Sequence, residues 1–425
     1  MKILFASAEL DPFSKVGGLA DVAAALPQRL LEIGHDVRAV TPCHRTAMAA
    51  HAASAFHRSY TVPLPGPDWD VDIATVAGAG GVPVDLVANA RYFDRPAVYG
   101  ENDDLLRYQF FCRAVIEMLK QDEWIPDVIH LNDWHTAPLA FALRNLAWGN
   151  PRLRGVASVF TIHNLRYRGP DELNDFLAQA IYYSDIVTTV SPTYAREILS
   201  PEYGEGLEAL LNLRGEAFRG ILNGLNADLF NPRTDRYIVR QFDQGSIADR
   251  SANRTALRAQ FGLQDDDGPI VAMVTRLTEQ KGIDLVLGAL PELIAAQAQL
   301  IVLGDGDRWL RDELGRLEGE YQSHVRLAAR FDEGLAQRIY AGADMFLMPS
   351  RYEPCGLGQL IAMRYGTIPI GRRTGGLADT ILDPQEHPET GTGFLFDEFS
   401  TVGFVAAFER ALMAFRDPET WERLQ

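Results

Sequence analysis

Short apolar runs punctuated by turn residues recur along the chain, with segments of helical period between them. In the first half these runs are KILFAS, DVRAVTP, VDLVAN, DVIHLND, SVFTIHN and DIVTTVS. After residue 265 the alternation resumes with PIVAMVT, QLIVLGDG, VRLAAR, DMFLMPS and TIPIG. A strand that is apolar nearly throughout is covered on both faces, and strands of that kind separated by helices build parallel sheets. The pattern predicts an α/β protein of two Rossmann-like, doubly wound domains in tandem. The polar, strand-poor stretch NPRTDRYIVRQFDQGSIADRSANR lies between them and puts the boundary near residue 240, for domains 1–240 and 241–425. Open sheets of this type bind ligands beyond the carboxyl ends of their strands, so two facing domains would hold a donor and an acceptor in the cleft between them.

Length and charge narrow the function. The 425 residues exceed what one core usually fills, in keeping with two domains. A formal charge of -17, with no run of Lys and Arg against it, argues against nucleic acid and membrane surfaces as partners. It leaves small anionic ligands open, because a few cations and helix N-termini act at short range while the distant surface is screened. Cys43, Cys112 and Cys355 are far apart and lack metal-ligand spacing, which argues for a reducing compartment and against a disulfide framework or a zinc site. MKILFASAEL meets Glu9 and Asp11 without a small-residue cleavage site, so it reads as a first strand, and no stretch is long and apolar enough to span a bilayer.

Four segments at strand ends carry candidate chemistry. In SKVGGLADV, Gly17 and Gly18 let backbone approach a ligand before a helix, and Lys15 supplies a point charge; an ordinary βα turn is the alternative. In TRLTEQKGIDL, Arg276 and Lys281 can neutralise a departing diphosphate, or be solvated loop cations. In PSRYEPCGLGQL, Glu353 can accept hydrogen bonds from sugar hydroxyls while the turn around Gly356 exposes backbone donors; RRTGGLADT repeats the Gly-Gly-Leu-Ala-Asp string of residues 17–21. LNDWHT (Asp133, His135) and TIHNLRYRG (His163, Asn164) place a carboxylate and an imidazole where they could converge on a sugar. The DxD strings at Asp68–Asp70 and Asp305–Asp307 read as turns before metal sites. GxSxG, Walker A and HExxH strings are absent.

Taken together, KVGGLADV, DWHT, TIHNLRYRG, VSPTYAREI, GILNG, RLTEQKGIDL, PSRYEPCGLGQL and RRTGGLADT occur in the order and rough spacing of bacterial glycogen synthases and plant starch synthases. The resemblance spans nearly the whole chain. It implies a GT-B fold and a retaining transfer of glucose from ADP-glucose to the non-reducing 4-hydroxyl of an α-1,4-glucan, with no metal or cofactor, in a bacterial cytoplasm. At matching positions Lys15, Gly17, Gly18, Arg276 and Lys281 would hold the diphosphate, and Glu353 the glucose hydroxyls. His163 and Asp133 would face the reacting sugar, with Asn223, Glu9 and Asp21 nearby. Thr374 and Gly375 would close over the donor, Cys355, Gly356 and Leu357 would be substrate-binding, and Phe331 stands where a tyrosine often stacks on the base. The implied mechanism is front-face displacement, in which the departing phosphate oxygen takes the acceptor proton while Arg276 and Lys281 stabilise the developing charge.

The chain departs from that pattern in places. After Arg168 it reaches NDFLAQAIYYSD almost at once, where the family inserts a longer stretch bordering the acceptor cleft. NGLN (Asn223–Asn226) replaces NGID, Gln337 stands for a common histidine, and Ile361 takes the place of a second glutamate that synthases of this group generally lack. The chain stops at TWERLQ, where relatives continue into a helix that returns to the first domain. Competing readings are a transferase using UDP-glucose, a glucan- or nucleotide-binding protein without catalysis, and a dehydrogenase, against which the absence of GxGxxG counts.

Overall fold

Each apolar run named above forms a strand in the computed structural model, which describes residues 1–51, 58–63, 69–145, 149–169, 175–264 and 267–425. The chain divides into two units, Met1–Gly224 and Leu225–Gln425. The division falls upstream of the expected boundary near residue 240. Phe230, Ile238 and Phe242 explain the difference: they are buried in a core cluster of the second unit, so the polar-looking segment is part of that unit rather than a free linker. Asp235 fastens it further, accepting from Tyr365 Oη at 2.7 Å and, with the Gln337 amide turned to donate, from its nitrogen at 3.0 Å.

Among the described residues the first unit contributes β1 (Lys2–Ala6), β2 (Asp36–Pro42), β3 (Arg58–Val62), β4 (Trp69–Ala77), β5 (Pro83–Ala88), β6 (Val128–Asn132), β7 (Ala157–Ile162), β8 (Ile186–Thr189) and β9 (Phe218–Gly220). They form one sheet in the order β3-β4-β5-β2-β1-β6-β7-β8-β9, parallel from β5 to β9 and antiparallel at β3 and β4. The second unit contributes β10 (Ile270–Val274), β11 (Gln299–Leu303), β12 (Val325–Ala328), β13 (Met345–Met348), β14 (Ile368–Arg372) and β15 (Phe394–Phe396), all parallel in the order β12-β11-β10-β13-β14-β15.

Side chains of a strand alternate between faces, and the cores follow that rule. Leu4, Ala6 and Val40 enter one cluster of the first unit while Phe5 and Ala39 enter another. Val271 and Met273 enter one cluster of the second unit while Ile270 and Ala272 enter another. The central strands of both sheets are thus covered on both faces, as continuous apolar strands require. Each also reverses its winding once, between β1 and β6 in the first unit and between β10 and β13 in the second. At such a point adjacent strands send their connections to opposite faces, leaving a crevice at their carboxyl ends.

Candidate functional site

Most candidate residues of the first unit gather at and beside its switch point, on the segments leaving β1, β6 and β7. Glu9 follows β1 and is 2 % exposed. Its Oε2 accepts from the backbone N–H groups of Val16, at 2.5 Å, and Gly17, at 3.0 Å, so it clasps the glycine loop onto the strand end. Burial raises the Glu9 pKa; the two backbone bonds oppose the shift and Asp21 adds to it. Lys15, expected to present its charge, is half-buried and paired with Asp21 at 2.5 Å and Asp11 at 3.4 Å. Burial also raises Asp21, against the pull of Lys15. Gly17 precedes, and Gly18 opens, the helix Gly18–Glu32.

Asp133 follows β6 directly, with φ of +55°. That left-handed conformation is unfavourable for a residue with a side chain, though least so for Asp and Asn, and conformations of this kind concentrate at functional sites. Its carboxylate and the His163 imidazole lie on neighbouring segments without bonding to each other. Asp133 Oδ1 accepts from the backbone N–H of His163 at 2.7 Å, and from that of Asn164 at 3.4 Å, while the His163 ring turns to Asn132, with Nε2 2.9 Å from Asn132 Oδ1. Burial pushes the Asp133 carboxyl up to about 7, opposed by its two backbone bonds and assisted by Glu9. Burial pushes His163 down to about 3, with His130 adding to the shift, so its imidazole is neutral at pH 7. His135 is not part of the group. Its ring packs on Trp134, Tyr108 and Tyr99, both nitrogens are buried without a hydrogen-bond partner among the described residues, and burial pushes it down to about 3. Asn223 lies in the loop after β9, half-buried, at the end of the unit.

The second unit gathers its candidates at the corresponding point, on the segments leaving β10, β13 and β14. Lys281 Nζ donates to both oxygens of Glu353, at 2.9 and 2.7 Å, and Ser350 Oγ donates to Oε2 at 2.9 Å. Glu353 is 5 % exposed. Two close approaches hold the pair. Gly282, at φ +65°, would place a Cβ 1.9 Å from the Pro349 carbonyl oxygen, and Gly375, at φ +44°, would place one 1.9 Å from the Glu353 carbonyl oxygen, so only glycine fits at either position. Backbone bonds add to this: Arg351 N–H donates to Gln280 O at 2.9 Å and Gly376 N–H to Glu353 O at 3.0 Å. Gln280 Nε2 donates to Tyr352 O at 3.2 Å.

Arg276 is exposed on the loop after β10. GDGD, a turn by its sequence, is also a support for that loop: Asp307 N–H donates to Leu277 O at 2.7 Å and Leu277 N–H to Asp305 O at 3.0 Å. Cys355 and Thr374 are buried, Gly356 and Leu357 half-buried, all on the turns after β13 and β14. Phe331, after β12, is 79 % exposed. Asp68 and the shortened stretch at residues 170–174 lie outside the described residues.

Sequence reasoning missed Asn132, Ser350, Gln280 and Tyr99, whose hydroxyl lies 3.4 Å from Glu9 Oε1. The first three sit inside or beside recognised motifs, but their role is to hold another residue, which only the folded geometry displays.

A family model for the starch synthase catalytic domain matches residues 2–213, and one for glycosyl transferases group 1 matches residues 268–414. Glycogen synthase 2 of Geobacter sulfurreducens is 41 % identical over 454 aligned residues, covering 100 % of this chain and 94 % of that protein. The glycogen synthase of Moorella thermoacetica is 38 % identical, covering 100 % and 92 %. The solved catalytic domain of starch synthase IV from Arabidopsis thaliana, bound to ADP and acarbose, superposes with a TM-score of 0.89 at 34 % identity, covering 100 % of this chain and 94 % of that one. With identity of this level over the full length, and two doubly wound units of the GT-B type, the chain belongs to the glycogen and starch synthase family of glycosyltransferases.

Proposed function

We propose that the chain transfers glucose from ADP-glucose to the non-reducing 4-hydroxyl of an α-1,4-glucan with retention of configuration, in a bacterial cytoplasm. The observation that carries this reading is the Lys281–Glu353 pair at the second switch point. A lysine ammonium has three donors and two go to Glu353, which leaves one for a phosphate oxygen; Glu353 Oε1 takes one of these bonds and keeps room for a sugar hydroxyl. A cation and a carboxylate so joined suit a glucosyl diphosphate, whose two ends need opposite partners. That the starch synthase IV domain was solved with ADP supports an adenine nucleotide.

In this reading Arg276 and Lys281 stabilise the charge that develops on the diphosphate as the C1–O bond breaks. The electron pair leaves on the phosphate oxygen, the acceptor oxygen forms the new bond to C1 on the same face, and the acceptor proton passes to the departing phosphate. ADP and a glucan one residue longer are the products. Lys15, Gly17 and Gly18 would meet the diphosphate, and a Cβ at Gly17 would touch only Glu9 Oε1, at 3.9 Å, so the fold itself leaves room there. Phe331 would offer its ring to the base, Asp133, His163 and Asn223 would face the sugars, and Cys355, Gly356, Leu357, Thr374 and Gly375 would line the donor.

The test is incorporation of labelled glucose into glycogen from ADP-glucose and, separately, UDP-glucose, with Arg276→Ala as control. Preferential incorporation from ADP-glucose, reduced about 100-fold or more in the variant, supports the reading. Preference for UDP-glucose would overturn the donor assignment, and no incorporation from either would overturn the activity.

A further inference from the structure

We propose that Asn132 is a positioning residue: it fixes the His163 imidazole in its Nε2–H form, so that Nδ1 offers a lone pair to a hydroxyl of the bound sugar. The sugar's presence rests on the function proposed above; the ring's tautomer does not.

The orientation of the Asn132 amide is decided by its surroundings. Asn132 is 1 % exposed at the end of β6, and its Nδ2 donates to the backbone carbonyl of Ala6, at the end of β1, at 3.0 Å; the His130 carbonyl lies 3.5 Å away. Carbonyl oxygens only accept, so the nitrogen must face them and Oδ1 must face His163. An amide oxygen also only accepts, so the ring nitrogen 2.9 Å from it, Nε2, must carry the hydrogen. A neutral imidazole with Nε2 protonated has a bare Nδ1, and among the described residues no donor reaches it. Burial, which disfavours the charged ring, agrees with a neutral form.

Two further features show that Asn132 is committed to this task. It stands at the N-cap of the short helix Asp133–Thr136, where an asparagine side chain ordinarily accepts from the first turn, yet it makes no such bond. Its own backbone is held instead by Thr136, whose Oγ1 accepts from Asn132 N–H at 2.6 Å and donates to Asn132 O at 2.9 Å. The neighbouring Asp133 holds the His163 main chain, so consecutive residues fix the backbone and the ring of one histidine. A bare, neutral nitrogen accepts from a hydroxyl and repels an anionic oxygen, so it suits a neutral sugar.

The test is long-range ¹⁵N–¹H correlation spectroscopy of the full chain labelled at histidine, with His163 assigned by comparison with His163→Gln. The wild type is expected to show His163 as the single Nε2–H tautomer at neutral pH, without substrate. In Asn132→Leu the Nδ1–H form should appear and kcat should fall about tenfold, with KM for the donor changed less than about threefold. Asn132→Asp keeps an acceptor toward Nε2 and should retain the Nε2–H form. A wild-type ring that is Nδ1–H or charged, or an Asn132→Leu variant with pure Nε2–H and full turnover, overturns the proposal. If the leucine variant does not fold, the wild-type and aspartate spectra decide it. Failure of the chain to use ADP-glucose while the Nε2–H form is observed would count against the proposed function, not against the positioning.

Discussion

In the proposed function, Lys281 and Asp133 each combine a structural contact with a chemical task. Lys281→Ala would remove a phosphate partner and strand Glu353, so kcat should fall by about 10²–10³ and stability by on the order of 2 kcal/mol, read by steady-state kinetics and urea unfolding. An unchanged kcat would remove Lys281 from the chemistry. Asp133 gives a signature in pH. Its folded pKa of about 7 lies above the ordinary 3.8, so between these values the native state keeps a proton that the unfolded chain releases. Its contribution to stability therefore declines as pH rises from about 4 to about 7 and then levels. Asp133→Asn keeps an acceptor for the His163 N–H and cannot ionise. Its Tm should match the wild type near pH 4 and exceed it increasingly toward pH 7.5, while turnover falls; a difference independent of pH would contradict the assignment.

At the scale of elements, the strand-to-helix turns carry the candidate residues, and their glycines set how closely they can nest. Gly282→Ala forces a Cβ toward the Pro349 carbonyl in a left-handed conformation, and should cost about 2 kcal/mol or more by chemical denaturation and displace Lys281 from Glu353. A loss below about 0.5 kcal/mol would show that the turn relaxes freely. The continuous apolar strands were legible in the sequence because burial on both faces leaves an unbroken apolar run. WDVDIATVA, which became β4, was not, since it places Val71 and Ile73 in the core between more exposed neighbours and so alternates where a continuous run was sought. β9 and β15, three residues each, are too short to show any period. Lys281 and Glu353 were legible as candidate residues, but their direct pairing was not, because 72 residues separate them.

For the molecule as a whole, the two units repeat one solution: each gathers most of its candidate residues at or beside the point where the strand order reverses, β1 with β6 and β10 with β13. Topology thus accounts for why residues as distant as Glu9, Asp133 and His163 belong to one group, a relation that spacing along the chain does not display. The boundary between units was misplaced in the sequence because Phe230, Ile238 and Phe242 are scattered among polar residues, and three anchors suffice to bind a segment to a core. The overall charge of -17 sets no obstacle to an anionic donor, since in the proposed site Arg276 and Lys281 would act within a few ångströms while bulk charge is screened over about 8 Å at physiological salt. Retaining glucosyl transfer to a glucan can be followed by time-resolved proton NMR of maltoheptaose incubated with ADP-glucose and the purified chain. Growth of α-1,4 anomeric signals in step with ADP release is expected; a β-linked product, or ADP release with free glucose and no longer glucan, would rule out retaining transfer to a glucan.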